Sequence, residues 1–160
     1  MRLLSAKDAV TGGGIYALGD TLAALITGEF QLYRLLGMLI LGSTLYAIEI
    51  PAYFRWLDRR HHHAGLGNAI KRMCMAAAFF NPLWIARHLL FIELFAGYWE
   101  SISWGLLMIA TYSFMYCLVV ALPVNYLIQN CIPLTKRFFA SSVFSALMAI
   151  YFSLSGVLFG

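Results

Sequence analysis

Apolar residues fall into five long runs along the chain, separated by short polar joints. The runs lie near 9–28, 35–54, 73–95, 104–128 and 138–159. Each has about the 20 residues that a helix needs to cross a hydrocarbon core. None alternates apolar and polar positions as a lipid-facing strand does. A continuous apolar run in lipid defaults to helix, because a helix satisfies its own backbone donors and acceptors. The pattern predicts an all-α, multi-pass integral membrane bundle of about five transmembrane helices, forming a single domain over 1–160. The first run, "AVTGGGIYALGDTLAALITG", is the weakest, with five glycines and Asp20; a re-entrant segment is its alternative.

The joints are short except for one. Residues 55–72, "RWLDRRHHHAGLGNAIKR", read as the only extended polar stretch. If all five runs span, one side holds Arg2, Lys7, Arg55, Arg59, Arg60, Lys71, Arg72, Lys136 and Arg137, and the other holds Arg34 alone. By the positive-inside rule the N-terminus then faces the cytoplasm or its equivalent, and the C-terminus faces away. Dropping the first span would spoil that bias, which supports the count.

Composition sharpens the class. The chain is 62% hydrophobic and 11% charged, whereas soluble domains carry about 25% charge. A 160-residue soluble core could not hide so much apolar surface. A soluble helical protein with a large apolar patch is the rival reading. The formal charge of +4 sits in short clusters between apolar runs, which fits membrane orientation and a lipid bilayer partner rather than nucleic acid. Trp56, Trp99 and Trp104 fall near span ends, as interface anchors do.

Cys74, Cys117 and Cys131 are odd in number and lack metal-ligand spacing. His61, His62 and His63 read as a basic loop near lipid head groups; a metal site is the lesser reading. "MRLLSAKD" lacks the apolar core and cleavage site of a signal peptide. No phosphate cradle or nucleophile elbow is present. The reading is therefore non-enzymatic, with no cofactor and no metal. A membrane-embedded enzyme would need a nucleophile or metal cluster beside His88.

The candidate chemistry lies inside the runs. Ionisable groups at membrane depth cost several kcal/mol and usually face a bundle interior or a watery cavity. Asp20, Glu49, Arg87, His88 and Glu93 are of this kind. Arg87 and Glu93 are six residues apart, so they point about 120° apart on one helix. Arg87 therefore needs a partner on another helix, with Glu49 or Asp20 the economical choices. Glu93 reads as an interface residue, and His88 as neutral. Pro51, Pro82 and Pro123 are expected to bend their helices. Asn125 and Gln129 follow Pro123 at four-residue spacing and share a face. These residues (Asp20, Glu49, Arg87, His88, Asn125 and Gln129) are candidates for a polar interior; pairing that only holds the bundle together is the alternative.

Small residues mark close helix contacts. Gly12 with Gly19, and Gly13 with Ala17, are placed for this on the first run. Ser141, Ser145, Ala149 and Ser153 recur every four residues on the fifth. They form a seam against another helix or a second subunit, which makes a homo-oligomer a candidate partner; a pore-lining stripe is the runner-up.

Several motifs in order resemble the Mpv/PMP family of peroxisomal and mitochondrial inner-membrane proteins. "TGGGIYALGDTLAALITGE" resembles that family's glycine-rich opening with its Gly-Asp pair, here Gly19 and Asp20. "RLLGMLILGSTLYAIEIPAYFRWLDR" places Arg34, Gly42, Tyr53 with Phe54, and Leu57-Asp58-Arg59 at the family's spacing. "KRMCMAAAFFNP" resembles its basic-pair segment ending at Pro82. "IPLTKRFFASSVFSALMAIYFS" resembles its closing span, carrying Pro133, Arg137, Tyr151 and Ser153. The likeness covers roughly residues 10 to 155. It departs at Ala76-Ala77, Ala121-Leu122, Ile128-Gln129, Met148 and Ala149, where the family carries polar or aromatic motifs. The resemblance implies a helical bundle admitting small solutes, in a mitochondrial inner or peroxisomal membrane for a eukaryotic chain and the plasma membrane for a bacterial one. "FNPLWIA" with Trp99 and Ile102 is more faintly similar to a small bacterial alanine-exporter family.

Two functional readings follow. One is a small-solute pore or channel-like transporter, in which Asp20, Glu49 and Arg87 line one polar cavity. The other is a structural or scaffolding membrane protein without transport. A small amino-acid exporter is a further alternative.

Overall fold

The computed structural model describes the backbone of residues 5–159 and the side chains of residues 5–150. Arg2, and the side chains of Tyr151 and Ser153, lie outside the described residues. All regular structure among the described residues is helical. Helix α1 spans Ala6–Thr27. Helix α2 (Leu32–Leu41) runs through a π-helical turn, Gly42–Tyr46, directly into α3 (Ala47–Arg60). Helices α4 (Leu66–Phe79) and α5 (Pro82–Ala96) form a second composite rod, broken at Phe80–Asn81. After a 3₁₀ turn at Trp99–Ser101 come α6 (Gly105–Asn130) and α7 (Leu134–Phe159).

Four rods, Ala6–Thr27, Leu32–Arg60, Leu66–Ala96 and Gly105–Asn130, are long and apolar enough to cross a membrane. With α7 they form an all-helical, multi-pass membrane bundle. The segment expected at 9–28 is one unbroken helix, not a re-entrant pair.

Local sequence explains the helix ends. Ser5 caps α1 by accepting the Asp8 N–H at 3.3 Å. Gly28 ends it in the left-handed region (φ 75°), and the Glu29 N–H returns to the Ala24 carbonyl at 2.8 Å. The same device closes α5. There Gly97 has φ 78°, and the Tyr98 N–H reaches the Glu93 carbonyl at 3.0 Å.

Three boundaries differ from the sequence reading. The polar stretch 55–72 is mostly helix, since α3 runs to Arg60 and α4 starts at Leu66. Arg55, Arg59, Arg60, Lys71 and Arg72 sit on helix ends whose buried sides carry Leu57 and Ala69. Pro82 does not bend a continuous third helix but opens a new one. It stands at the first helical position behind Asn81, whose Oδ1 accepts the Trp84 N–H at 3.0 Å. The Tyr53 hydroxyl donates to the Met75 carbonyl at 2.7 Å, near the freed end of α4. Pro51 and Pro123 lie inside α3 and α6 without interrupting them.

Helices do not gain from hiding apolar surface from one another in lipid, so close packing decides which faces meet. Helix α1 lies along α7 and against α2 and the π turn. At the crossing with the π turn the contact is backbone on backbone. A Cβ on Gly12 would overlap the Gly42 carbonyl, and one on Gly42 would stand 2.5 Å from the Gly12 carbonyl oxygen. Seven residues further along α1, a Cβ on Gly19 would come within 2.5 Å of the Ala146 Cβ on α7. Gly13 meets Leu39 and Ser43. The expected small-residue face of α1 is thus its contact face, and part of the expected α7 seam is its counterpart: Ser145 faces Tyr16 of α1, and Ser141 is buried. Met38, Tyr46, Ile50, Phe54 and Leu57 fill the core between α1, α3 and α7. The opposite surface of α6, with Met108, Tyr112, Met115, Tyr116 and Val119, is exposed and apolar, as a lipid-facing surface is.

The basic positions gather at one end. Arg72 grips Asn130 through Nε at 2.9 Å and Nη2 at 2.7 Å, and donates to the His61 carbonyl. Arg137 binds Asp58 at 2.8 Å and the Ile132 carbonyl at 3.0 Å. A recess beside these contacts is lined by Ser5, Lys7, Arg55 and Thr135. The N-terminus of α1 therefore shares an end with the α3–α4 and α6–α7 joints. At the far end Gln31 donates to the Tyr98 hydroxyl at 2.9 Å, linking the α1–α2 joint to the end of α5.

Candidate functional site

Helix α1 packs on α7, and α5 packs on α6, but among the described residues α1 makes no extended backbone contact with α5 or α6. The gap between the two pairs is a cavity of about 350 Å³. Along α6 its lining runs from Ile109 to Asn125, sixteen residues or about 24 Å of helix. Small-molecule sites occupy about 300–1,000 Å³, so the space suits a metabolite-sized occupant. Most of the wall is apolar, with Phe80, Ile85, Leu89, Phe114, Phe144 and Met148 contributing.

The polar groups concentrate on the α1–α2–α5 side. Asp20 projects from α1 about two turns before its end, and Arg34 stands near the start of α2. The tight joint at Gly28–Gln31 brings the two helices side by side, so the residues meet. Arg34 donates from Nε to Oδ2 at 2.8 Å and from Nη2 to Oδ1 at 2.7 Å, a two-pronged ion pair. Both residues are buried within the chain and both border the cavity. Tyr16 lies one turn before Asp20 and is 4% exposed. Its ring packs on Tyr46 with centroids 4.8 Å apart, and its hydroxyl faces Ser142 and Ser145 of α7. The Tyr46 hydroxyl meets His88 Nδ1 at 2.8 Å, and the His88 ring stacks on Trp84 at 5.8 Å. Glu93 on α5 and Glu29, exposed just after α1, form the rim at the end away from the basic residues. Ser113, Cys117 and Asn125 face the space from α6, and Ser145 and Ala149 from α7.

The expected grouping of Asp20, Glu49 and Arg87 around one cavity does not hold. Arg87 does pair with Glu49, Nη2 to Oε2 at 2.7 Å, but neither borders the cavity. Their pair links α5 to α3 and lies under the Trp84 ring, which the Arg87 guanidinium covers at 5.7 Å. The partner of Asp20 is Arg34, which the sequence reading placed alone in a far-side joint. Glu93, read as an interface residue, lies three residues from the end of α5 and also borders the cavity.

Asn125 spends one amide hydrogen on the Ala121 carbonyl at 2.8 Å and borders the cavity. Gln129 is fully buried and lies outside it, its amide oxygen and nitrogen both without a hydrogen-bond partner among the described residues. The remaining motif positions are structural. Gly19 and Gly42 are helix contacts, Leu57 is fully buried, and Asp58 with Arg137 ties α3 to α7. Arg59 is exposed and donates to the Arg55 carbonyl at 3.3 Å. Pro82 opens α5, and the Pro133 carbonyl accepts the Lys136 N–H in the first turn of α7. In the histidine loop the His62 and His63 rings lie tilted to one another, with centroids 3.9 Å apart. Among the described residues no group of three His, Cys, Asp or Glu side chains is placed to hold a metal.

Comparison of the chain with family models, curated proteins and solved structures finds no match.

Proposed function

We propose that this protein is a channel-like transporter for small solutes, with the cavity between the α1–α7 and α5–α6 pairs as its substrate site. One observation carries the reading: a buried, two-pronged Asp20–Arg34 pair stands in the wall of a metabolite-sized cavity within membrane-crossing helices. Ionisable groups within membrane-crossing helices are costly and typically mark a solute path. Interrupted helices favour the same reading. The π turn at Gly42–Tyr46 and the break at Phe80–Asn81 fall within the two composite rods. π turns recur at functional sites, and broken helices near mid-membrane form the binding sites of many transporters. The resemblance to the Mpv/PMP family points the same way, and adds a mitochondrial inner or peroxisomal membrane as the location in a eukaryotic cell.

A second reading rests on the ion pairs. Asp20–Arg34, Glu49–Arg87 and Asp58–Arg137 join α1 to α2, α3 to α5 and α3 to α7. Such pairs also suit a scaffold that transports nothing.

Cys117 borders the cavity and discriminates between the two. In a Cys74→Ser/Cys131→Ser background, purified protein in liposomes is loaded with a panel of sized neutral and charged solutes. Transport predicts flux above protein-free liposomes and its loss when a water-soluble methanethiosulfonate modifies Cys117. Flux equal to that of empty liposomes, with Cys117 reacting only with lipid-soluble reagents, refutes the transport reading.

A further inference from the structure

The charges around the cavity are unequal. Three carboxyl groups border it, those of Asp20, Glu29 and Glu93, against the single guanidinium of Arg34. Asp20 already occupies the Nε–Nη2 edge of Arg34. That edge is the one best shaped to grip an incoming carboxylate or phosphate. Glu29 and Glu93 lie within electrostatic reach of Arg34, yet neither forms an ion pair among the described residues. The rim therefore carries negative charge beyond what Arg34 balances. Low-dielectric walls focus such a field along a cleft and concentrate the opposite sign within it.

Behind the rim the character changes. Phe80, Phe114, Phe144 and Tyr16 contribute aromatic wall, and Ile85, Leu89 and Met148 aliphatic wall. Aromatic faces attract cations, most strongly where water is excluded. The Tyr16 hydroxyl is buried, and no hydrogen bond of normal geometry satisfies it among the described residues. It is turned toward Ser142 and Ser145 of α7, while Tyr16 as a residue borders the cavity. A bare metal ion would leave most of this apolar wall without a partner. A phosphorylated or carboxylated solute would meet two carboxylates at the entrance.

Resting on the transport reading above, we propose that the cavity takes small organic cations with an apolar body and rejects anions, the positive group being recognised at the Glu29–Glu93 rim. The cation sits toward the two carboxylates while its hydrocarbon part enters between α5, α6 and α7. Glu29 is exposed and Glu93 half-buried, so both are replaceable without opening the core.

The test uses the full chain in liposomes and, in parallel, in detergent. Benzyltrimethylammonium is the cationic probe, benzenesulfonate the anionic one of similar bulk, and benzyl alcohol the neutral control. Glu29→Gln/Glu93→Gln is the variant, with monodisperse elution on gel filtration as the check that it folds. The proposal expects cation flux at least about tenfold above anion flux, and a fall in that ratio of about tenfold in the variant. Anion flux equal to or above cation flux, or a ratio unchanged in the variant, overturns the proposal and leaves transport standing. If no solute moves faster than through empty liposomes, the transport reading has failed. Calorimetric titration of the purified protein with benzyltrimethylammonium then decides the cavity's preference. Saturable binding weakened about tenfold in the variant supports it, and absence of saturable binding overturns it.

Discussion

Replacing either member of the Asp20–Arg34 pair has a cost that can be worked from its surroundings. Asp20 is 4% and Arg34 8% exposed, and two charge-assisted hydrogen bonds of 2.8 and 2.7 Å join them. Removing one partner of a buried pair costs about 3–5 kcal/mol, chiefly because the other charge is left without compensation. The two single variants are not equivalent. In Asp20→Asn the stranded guanidinium still feels Glu29 and Glu93, and the amide oxygen keeps one acceptor. In Arg34→Gln the stranded Asp20 carboxylate loses the only ion-pair partner it has among the described residues. Asp20→Asn should therefore fall near about 3 kcal/mol, and Arg34→Gln near about 5 kcal/mol. The apolar double variant Asp20→Leu/Arg34→Met removes both charges and should cost less than Arg34→Gln alone. The assay is equilibrium unfolding in mixed micelles of increasing sodium dodecyl sulfate fraction, followed by far-ultraviolet circular dichroism. Flux in liposomes is measured on the same preparations. A double variant that is folded but transports nothing separates a solute-contacting role from a fastening one. Single variants costing under about 1 kcal/mol, or a double variant costing the sum of the singles, would refute the buried-pair reasoning.

Three further outcomes follow. Gly12→Ala should lower the yield of folded protein in detergent, because its methyl group meets the Gly42 backbone; Gly14→Ala has open space around it and should be neutral or stabilising by up to about 1 kcal/mol. Equal thermal midpoints for the two would remove the backbone crossing from consideration. Asn81→Ala should destabilise by about 1 kcal/mol through loss of the α5 cap, read by the same unfolding titration, with Asn81→Asp retaining most of the stability. Arg72→Ala should free the His61–Gly65 joint, so limited proteolysis there should accelerate while the far-end Gly97–Trp104 joint keeps its cleavage rate; unchanged cleavage at both would deny Arg72 its role in fixing that joint.

Much of the architecture was legible because lipid imposes strict patterning. Long apolar runs gave the helices, and the lopsided basic residues gave an end at which Arg72 and Arg137 do meet Asn130 and Asp58. That Arg87 needs a partner on another helix was legible because the angular offset of Glu93 excluded one on its own, but the choice between Glu49 and Asp20 was settled only by the fold. Other features were hidden for physical reasons. Residues 55–60 and 66–72 carry dense charge, which reads as loop when averaged, although each segment buries one apolar side. The Asn-Pro step at 81–82 carried the signature of a helix start, an N-cap before proline, but it sits inside an apolar run that masks it. Nothing in "GSTLY" marks a π turn, and the backbone contact of its Gly42 with Gly12 exists only in the fold. Arg34 looked like a topology determinant because linear distance from Asp20 conceals a hairpin. The rim role of Glu93 depends on Glu29, sixty-four positions away in sequence and adjacent only through the fold.

The two ends of the bundle also differ mechanically. At the basic end Arg137–Asp58 and Arg72–Asn130 fasten α3, α4, α6 and α7 to one another. Toward the other end α2 and α5 continue beyond a π turn and a helix break, and the Arg34–Asp20 pair and the Gln31–Tyr98 hydrogen bond hold them there. The cavity rim lies on that jointed side. On the transport reading proposed above, a solute would reach the cavity from the end opposite the Arg72 and Arg137 contacts.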